Sequence, residues 1–224
     1  MNAPPTLTLS PLENRVLGVL SEKQLTTPDY YPLTLNALVA GCNQKTSRSP
    51  VMSVTEGEVQ MALDALKRQN LVMDSFGSSG RVMRFAHNIN KVLGLSQSHV
   101  ALLTVLMLRG PQTPGELRIN CERMYAFPDI SSVEAYLEEL AARHRLVTQL
   151  PKQPGSREHR FAHLLCGAPE APADAAESHA AIPDVTTGEI AALKNNLASL
   201  RAEVSELRAL LDRVYGELGL KRDA

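Results

Sequence analysis

The sequence of 224 residues contains no tryptophan, and aromatic residues make up only 4% of it. Proteins that grip single-stranded nucleic acid or RNA stack bases on aromatic faces, so that class is disfavoured by composition. Cysteine is scarce as well. Cys42, Cys121 and Cys166 are an odd number with no CxxC pair, which argues against a disulfide framework or a zinc site and suits reduced thiols in a cytosol. Long apolar runs are missing: the longest, Val100 to Leu108, spans nine residues and holds Thr104. A membrane helix needs about 20. The opening Met1-Asn2-Ala3-Pro4-Pro5 lacks the basic and then apolar character of a secretory signal, so the expected location is cytoplasmic, with no membrane partner. Nor is there an excess of charge. Lys plus Arg is 23 and Asp plus Glu is 24, which argues against a general polyanion binder and leaves room for a local basic patch. What is present is apolar mass, 44% of the chain, enough to build a buried core.

Charge divides the chain in three. Residues 1–91 hold 9 basic and 7 acidic side chains, residues 92–166 hold 8 and 7, and residues 167–224 hold 6 and 10. The first two parts also share sequence. Arg84-Phe85-Ala86-His87 recurs as Arg160-Phe161-Ala162-His163, Leu71-Val72 as Leu146-Val147, Thr27-Pro28 as Thr113-Pro114, and Leu9-Ser10 as Leu95-Ser96. The offset is 86 residues early in the repeat and 76 at its end. The extra residues of the first copy are expected mainly around Asn43 to Ser53. Two copies are too few for a solenoid, so the pattern predicts tandem domains over residues 7–91 and 92–166.

Each copy has the same grammar. Ser10-Pro11-Leu12-Glu13 is an N-cap with proline at the first helical position and a capping-box glutamate. Leu12, Val16, Val19 and Leu20 follow at helical spacing. Leu33 to Val39 predicts a second helix. Thr55-Glu56-Gly57-Glu58 opens a third, with Val59, Leu63 and Leu66 inward. Leu71–Phe76 and Arg81–Ala86 predict two strands around the turn Gly77-Ser78-Ser79-Gly80. In the second copy Ser96 starts a helix through Leu108, Thr113-Pro114-Gly115-Glu116 caps another, and Ser131 to Ala142 is a third with Val133, Leu137 and Leu140 inward. A hairpin of Leu146–Leu150 and Arg160–Leu164 closes it. Three helices and a hairpin are the winged-helix arrangement. The expected fold class is therefore mainly α with small β-hairpins, an α+β chain of two tandem winged-helix domains.

Beyond them, residues 167–185 are rich in Ala, Pro and Glu and read as a flexible linker. Residues 186–220 read as a coiled-coil helix. Ile190, Leu193, Leu197, Leu200, Val204, Leu207, Leu211, Val214 and Leu218 alternate spacings of three and four. Glu189 and Glu203 sit at g positions, and Lys194 and Arg208 at the e positions that follow. That pairing favours a parallel homodimer through the coil.

Several longer motifs carry a family resemblance. Glu22-Lys23-Gln24-Leu25-Thr26-Thr27-Pro28, Tyr31-Pro32-Leu33-Thr34-Leu35-Asn36 and Cys42-Asn43-Gln44-Lys45 resemble the YceH family of bacterial proteins. So do Leu108-Arg109-Gly110-Pro111-Gln112-Thr113-Pro114-Gly115-Glu116-Leu117-Arg118 and Pro154-Gly155-Ser156-Arg157-Glu158. The match covers residues 9–166 or so. It implies two winged helices in tandem and no activity, since the family is uncharacterised.

Two functional readings compete. In the first, the protein is a dimeric, transcription-regulator-like binder of double-stranded DNA. Phosphate contacts would come from Lys45 and Arg48 before the third helix, Arg81 and Arg84 in the first wing, and Lys152, Arg157 and Arg160 in the second. The third helices oppose this, because they carry Glu56, Glu58 and Asp64 in one copy and Glu134, Glu138 and Glu139 in the other. In the second reading those acidic faces dock an unknown protein partner and the protein is an adaptor. A ligand- or redox-sensing role for one of the thiols is a third reading that no spacing favours. The polar loop Asn43 to Pro50 suits either a gripping loop or a solvated connection. No catalytic residue, metal site or cofactor is expected. His163-Leu164-Leu165-Cys166 has no second ligand pair. Gly77-Ser78-Ser79-Gly80 lacks the lysine of a phosphate loop. His87 and His163 are matched by the repeat. Cys42 reads as a buried helix thiol, and Tyr30-Tyr31-Pro32 as core.

Overall fold

Helix starts are written in local capping chemistry. The computed structural model describes residues 7–76, 82–152 and 158–169. Helix α1 (Pro11–Thr26) opens on Ser10, whose hydroxyl accepts from the Glu13 N–H while the Glu13 carboxylate accepts from the Ser10 N–H. The same reciprocal box opens α3 (Glu56–Arg68) at Thr55 and Glu58, and α6 (Pro114–Cys121) at Thr113 and Glu116. Each box satisfies N–H groups that a helix end leaves without partners. Single side-chain caps open three more: Thr34 for α2 (Leu35–Cys42), Ser96 for α5 (Gln97–Arg109) and Asp129 for α7 (Ile130–Ala142). Strands β1 (Val72–Phe76) and β2 (Met83–His87) form one antiparallel hairpin, and β3 (Val147–Gln149) and β4 (Phe161–His163) form another. A short helix, α4 (Ile89–Leu93), joins the halves and ends on Gly94 at φ 64, a left-handed position that glycine takes without strain. Among the described residues the chain is thus mixed α/β, with seven helices and two small hairpins.

The structure re-registers the repeat. Thr113 caps α6, and its counterpart is Thr34, not Thr27. Just before each of these helices one residue pairs with the hairpin. Leu33 exchanges both backbone hydrogen bonds with Phe85, and Gln112 does so with Phe161. Thr27-Pro28 instead opens a 3-10 turn, Pro28–Tyr30, that only the first copy has. The extra residues of the first copy therefore fall in two places, this turn and the stretch after Cys42. The register also aligns Cys42 with Cys121, each the last residue of its helix and fully buried. The aromatic cluster splits. Tyr31 packs, with its hydroxyl accepting from the His87 N–H at 2.6 Å, whereas Tyr30 is 76% exposed and is not core.

One continuous core joins the two copies. Its centre is the pair of first helices: Asn14 to Ser21 of α1 and Ser98 to Leu108 of α5 are buried throughout. A Cβ on Gly18 would lie 2.9 Å from the Leu108 side chain and 3.4 Å from the Met107 Cβ. The absence of a side chain there is what lets α1 and α5 approach so closely. Ser21 and Thr104 share a buried hydrogen bond of 2.7 Å. The offset of 86 residues carries Gly18 to Thr104 and Ser21 to Met107. The contacts Gly18–Met107 and Ser21–Thr104 are therefore one contact read from both sides, as in the isologous interface of a two-fold dimer. Gly41 does the same for α2, since its Cβ would lie 2.6 Å from Val19 Cγ1.

Candidate functional site

Five of the seven basic residues expected at phosphates lie in the described part. Lys45 and Lys152 are exposed. Arg84 is half-buried and donates from Nη1 to the Pro32 carbonyl at 2.8 Å. Arg160 stands at the matching position, donating from Nη1 to the Pro111 carbonyl at 3.0 Å and from Nη2 to Glu116 at 3.2 Å. The two strand arginines thus hold the backbone that leads into α2 and α6. Arg81 and Arg157 fall outside the described residues, as do the linker and the whole heptad series Ile190 to Leu218.

Arg48 is not at the surface, which corrects the expectation that it meets phosphate. Its side chain is fully buried. Nε donates to the Gly41 carbonyl at 3.2 Å, Nη1 to Glu22 at 3.0 Å and to the Ser47 carbonyl at 2.9 Å, and Nη2 to Glu22 at 2.6 Å and to Gln44 at 3.2 Å. The fork onto the Glu22 carboxylate is the strong bidentate geometry. Arg15 lies beside it, donating to the Cys42 carbonyl at 3.2 Å and the Pro50 carbonyl at 2.6 Å. Burial, and then the neighbouring Arg48 charge, lower the Arg15 pKa. Burial pushes the Glu22 carboxyl up, but the hydrogen bonds and charge of Arg48 outweigh it and hold the group below its ordinary range. The polar loop after Cys42 is therefore a joint. Its Ser49 N–H donates to the Leu108 carbonyl at 2.8 Å, and Arg109 donates to Ser47 Oγ at 2.7 Å. It satisfies groups at the end of α5, which belongs to the other copy.

The outward faces of the third helices are acidic in both copies. Val59, Leu63 and Leu66 of α3 point inward, leaving Glu56, Gly57, Glu58, Met61, Asp64 and Arg68 exposed. On α7 the inward residues are Val133, Leu137 and Leu140, leaving Ile130, Ser131, Glu134, Ala135, Glu138 and Ala142 exposed. Glu139 of α7 is engaged by Arg143 at 3.0 Å and His99 Nε2 at 3.2 Å. Carboxylates near a helix N-terminus suit its dipole, and they are the wrong sign for a helix laid against phosphates.

The thiols and imidazoles are buried rather than activated. Burial pushes Cys42 and Cys121 up to about 12, far from the thiolate that nucleophilic or redox chemistry needs. Cys166 is exposed; burial of its sulfur and then Glu13 also raise it. His87 and His163 occupy matched strand ends opposite Val72 and Val147, and burial lowers each to about 4. Among the described residues no group of three or more His, Cys, Asp and Glu could hold a metal ion. No described helix is long and apolar enough to cross a membrane.

Comparison with known proteins adds a family and no activity. Residues 9–156 match the family described as protein of unknown function, DUF480. A UPF0502 protein of Burkholderia orbicola is 57% identical over 221 residues, spanning 96% of this chain and 92% of the relative. A UPF0502 protein of Burkholderia cenocepacia is 56% identical with the same coverage. One of Burkholderia pseudomallei is 57% identical over 214 residues, covering 95% and 90%.

Proposed function

Since the chain belongs to the DUF480 family of proteins of unknown function, as its resemblance to the YceH proteins implied, we propose that it is a non-enzymatic protein-docking module of two winged-helix repeats. The order helix, helix, helix, hairpin supports the winged-helix reading in each copy. So does the single residue, Leu33 or Gln112, that adds a third edge to each hairpin. In a winged-helix DNA reader the third helix enters the major groove. Here the observation that carries the proposal is that both third helices turn carboxylates outward at Glu56, Asp64, Glu134 and Glu138. Of the five candidate basic residues among the described residues, three are engaged: Arg48 inside the fold, Arg84 on Pro32 and Arg160 on Pro111 and Glu116.

The DNA-binding reading retains Lys45 and Lys152, both exposed, together with Arg81 and Arg157, which lie outside the described residues. The two readings separate on salt. A labelled random-sequence duplex titrated with the protein, followed by fluorescence anisotropy, is expected to show no salt-dependent binding. A loss of about tenfold or more between roughly 50 and 200 mM salt is what several phosphate contacts produce. That outcome would replace docking with DNA binding.

A further inference from the structure

Helix α3 and the first hairpin expose three large apolar side chains that the matched positions of the second copy lack, although α7 exposes Ile130 at its start. Met61 is 67% exposed, Phe76 66% and Met83 45%. Phe76 stands opposite Met83 in the register, two residues on from the pair Asp74 and Phe85. Side chains two apart share one side of a strand, so all four lie on the side that meets α3. Contacts join that side to the helix. Lys67 of α3 makes them: its Nζ lies 2.6 Å from Asp74 and 5.0 Å from the centre of the Phe85 ring.

The second copy is an internal control. Its counterparts of Met61, Phe76 and Met83 are Ala135, Pro151 and His159. The same framework is therefore built without the three large apolar side chains, and folding does not require them at the surface. Exposed apolar groups grouped this way mark interaction sites. The rim gives the sign of the partner. The charges of α3 and β1 are Glu56, Glu58, Asp64 and Asp74 against Lys67 and Arg68, with Arg81 of the turn outside the described residues. An acidic rim repels nucleic acid.

We propose that the face of α3 and the first hairpin docks a lysine- or arginine-rich segment of a partner protein through Met61, Phe76 and Met83, its acidic rim pairing with the segment's cations. This rests on the docking reading and assigns it to one repeat. Apolar anchors at the centre would supply most of the affinity, and the rim the on-rate and orientation.

The test uses the full chain and a fluorescein-labelled amphipathic Leu/Lys peptide, with a Leu/Glu peptide of the same pattern and a DNA duplex as competitors. The Leu/Lys peptide is expected to bind. The variant M61S/F76S should weaken it by about tenfold or more, as loss of central anchors does, while A135S/H159S in the second copy leaves it unchanged. Met61, Phe76 and Ala135 are exposed and His159 is half-buried, with Nδ1 3.1 Å from the Leu150 carbonyl; matching thermal midpoints would show that folding is intact in both variants. In methyl-labelled methionine spectra, Met61 and Met83 should shift on binding, and Met107 and Met124 should not. Equal binding of the Leu/Glu peptide overturns the proposal, as does absence of Leu/Lys binding. Leu/Lys binding that M61S/F76S does not alter removes the assignment to this face and leaves docking on α7 standing. Displacement of the peptide by the duplex overturns both.

Discussion

Replacing Arg48 with alanine is expected to destabilise the protein by about 3–5 kcal/mol, the usual cost of removing one partner from a buried ion pair. The guanidinium makes hydrogen bonds to Glu22, Gly41, Ser47 and Gln44. Alanine leaves the Glu22 carboxylate in a largely buried position with Lys23 at 3.3 Å as its remaining cation. It also leaves the Gly41 carbonyl without this donor. The loop that meets the end of α5 loses its anchor, so the damage should spread to the joint between copies. Lysine cannot restore the fork, because an ammonium is a point charge, and Arg48→Lys should recover only part of the loss. The double variant E22L/R48M removes both charges and should recover most of it. Urea unfolding with an unchanged denaturant slope checks the series. The acid limb gives a second check. Glu22 titrates below its ordinary 4.5 in the folded protein. Its contribution is complete above that value and is lost as the pH falls through the lower folded one. The Arg48→Ala variant should show a shallower decline in that window.

Acidification from pH 7 to pH 4 is expected to cost about 3 kcal/mol through His87 alone, since burial lowers its pKa from 6.5 to about 4. The folded protein holds the imidazole neutral, with Nδ1 accepting from the Ile89 N–H. The unfolded chain takes up a proton below pH 6.5, so stability falls as pH drops from there to about 4, below which this contribution is constant. His163, at the matched strand end, acts in the same direction. Burial lowers it to about the same value, so its share is similar. The variant His87→Asn keeps an acceptor near the position of Nδ1 and removes the titration. It should be somewhat less stable at pH 7 and should lose the His87 part of the slope. Urea midpoints at pH 7, 5.5 and 4 measure this, and a profile parallel to that of the wild type would contradict it.

What was legible in the sequence was local. The caps at Ser10, Thr55, Ser96 and Thr113 and the inward series Val59, Leu63, Leu66 and Val133, Leu137, Leu140 stand as read, because capping and helical periodicity act over a few residues. The repeat was legible in its matched Arg-Phe-Ala-His strands but misaligned at Thr27-Pro28. That dipeptide mimics the Thr113-Pro114 cap, while Thr34, without a capping-box glutamate, leaves a weaker mark. Helix α4 was missed, although Gly94 after a short apolar run was a usable stop signal.

The candidate site was the least legible part. Arg48 in a polar loop looks like a surface cation, and its partner Glu22 lies 26 residues away across the fold. The motifs that carry the family resemblance supply much of this knot, through Glu22, Cys42 and Gln44. Their residues pack and hydrogen-bond, which explains why reading them for chemistry returned none. The acidic character of the third helices was plain in the sequence. The pairing of Phe76 with Met83 was not, because it needs the hairpin register.

The central claim is that the third helices face a protein. The most direct measurement is photo-crosslinking in living cells, with benzoylphenylalanine placed in turn at Met61, at Ala135 and, as a control, at Ala40 on the exposed side of α2. The account predicts discrete protein adducts from position 61 or 135 and none from position 40. Adducts to nucleic acid from the third-helix positions, or the same protein adducts from all three, would contradict it.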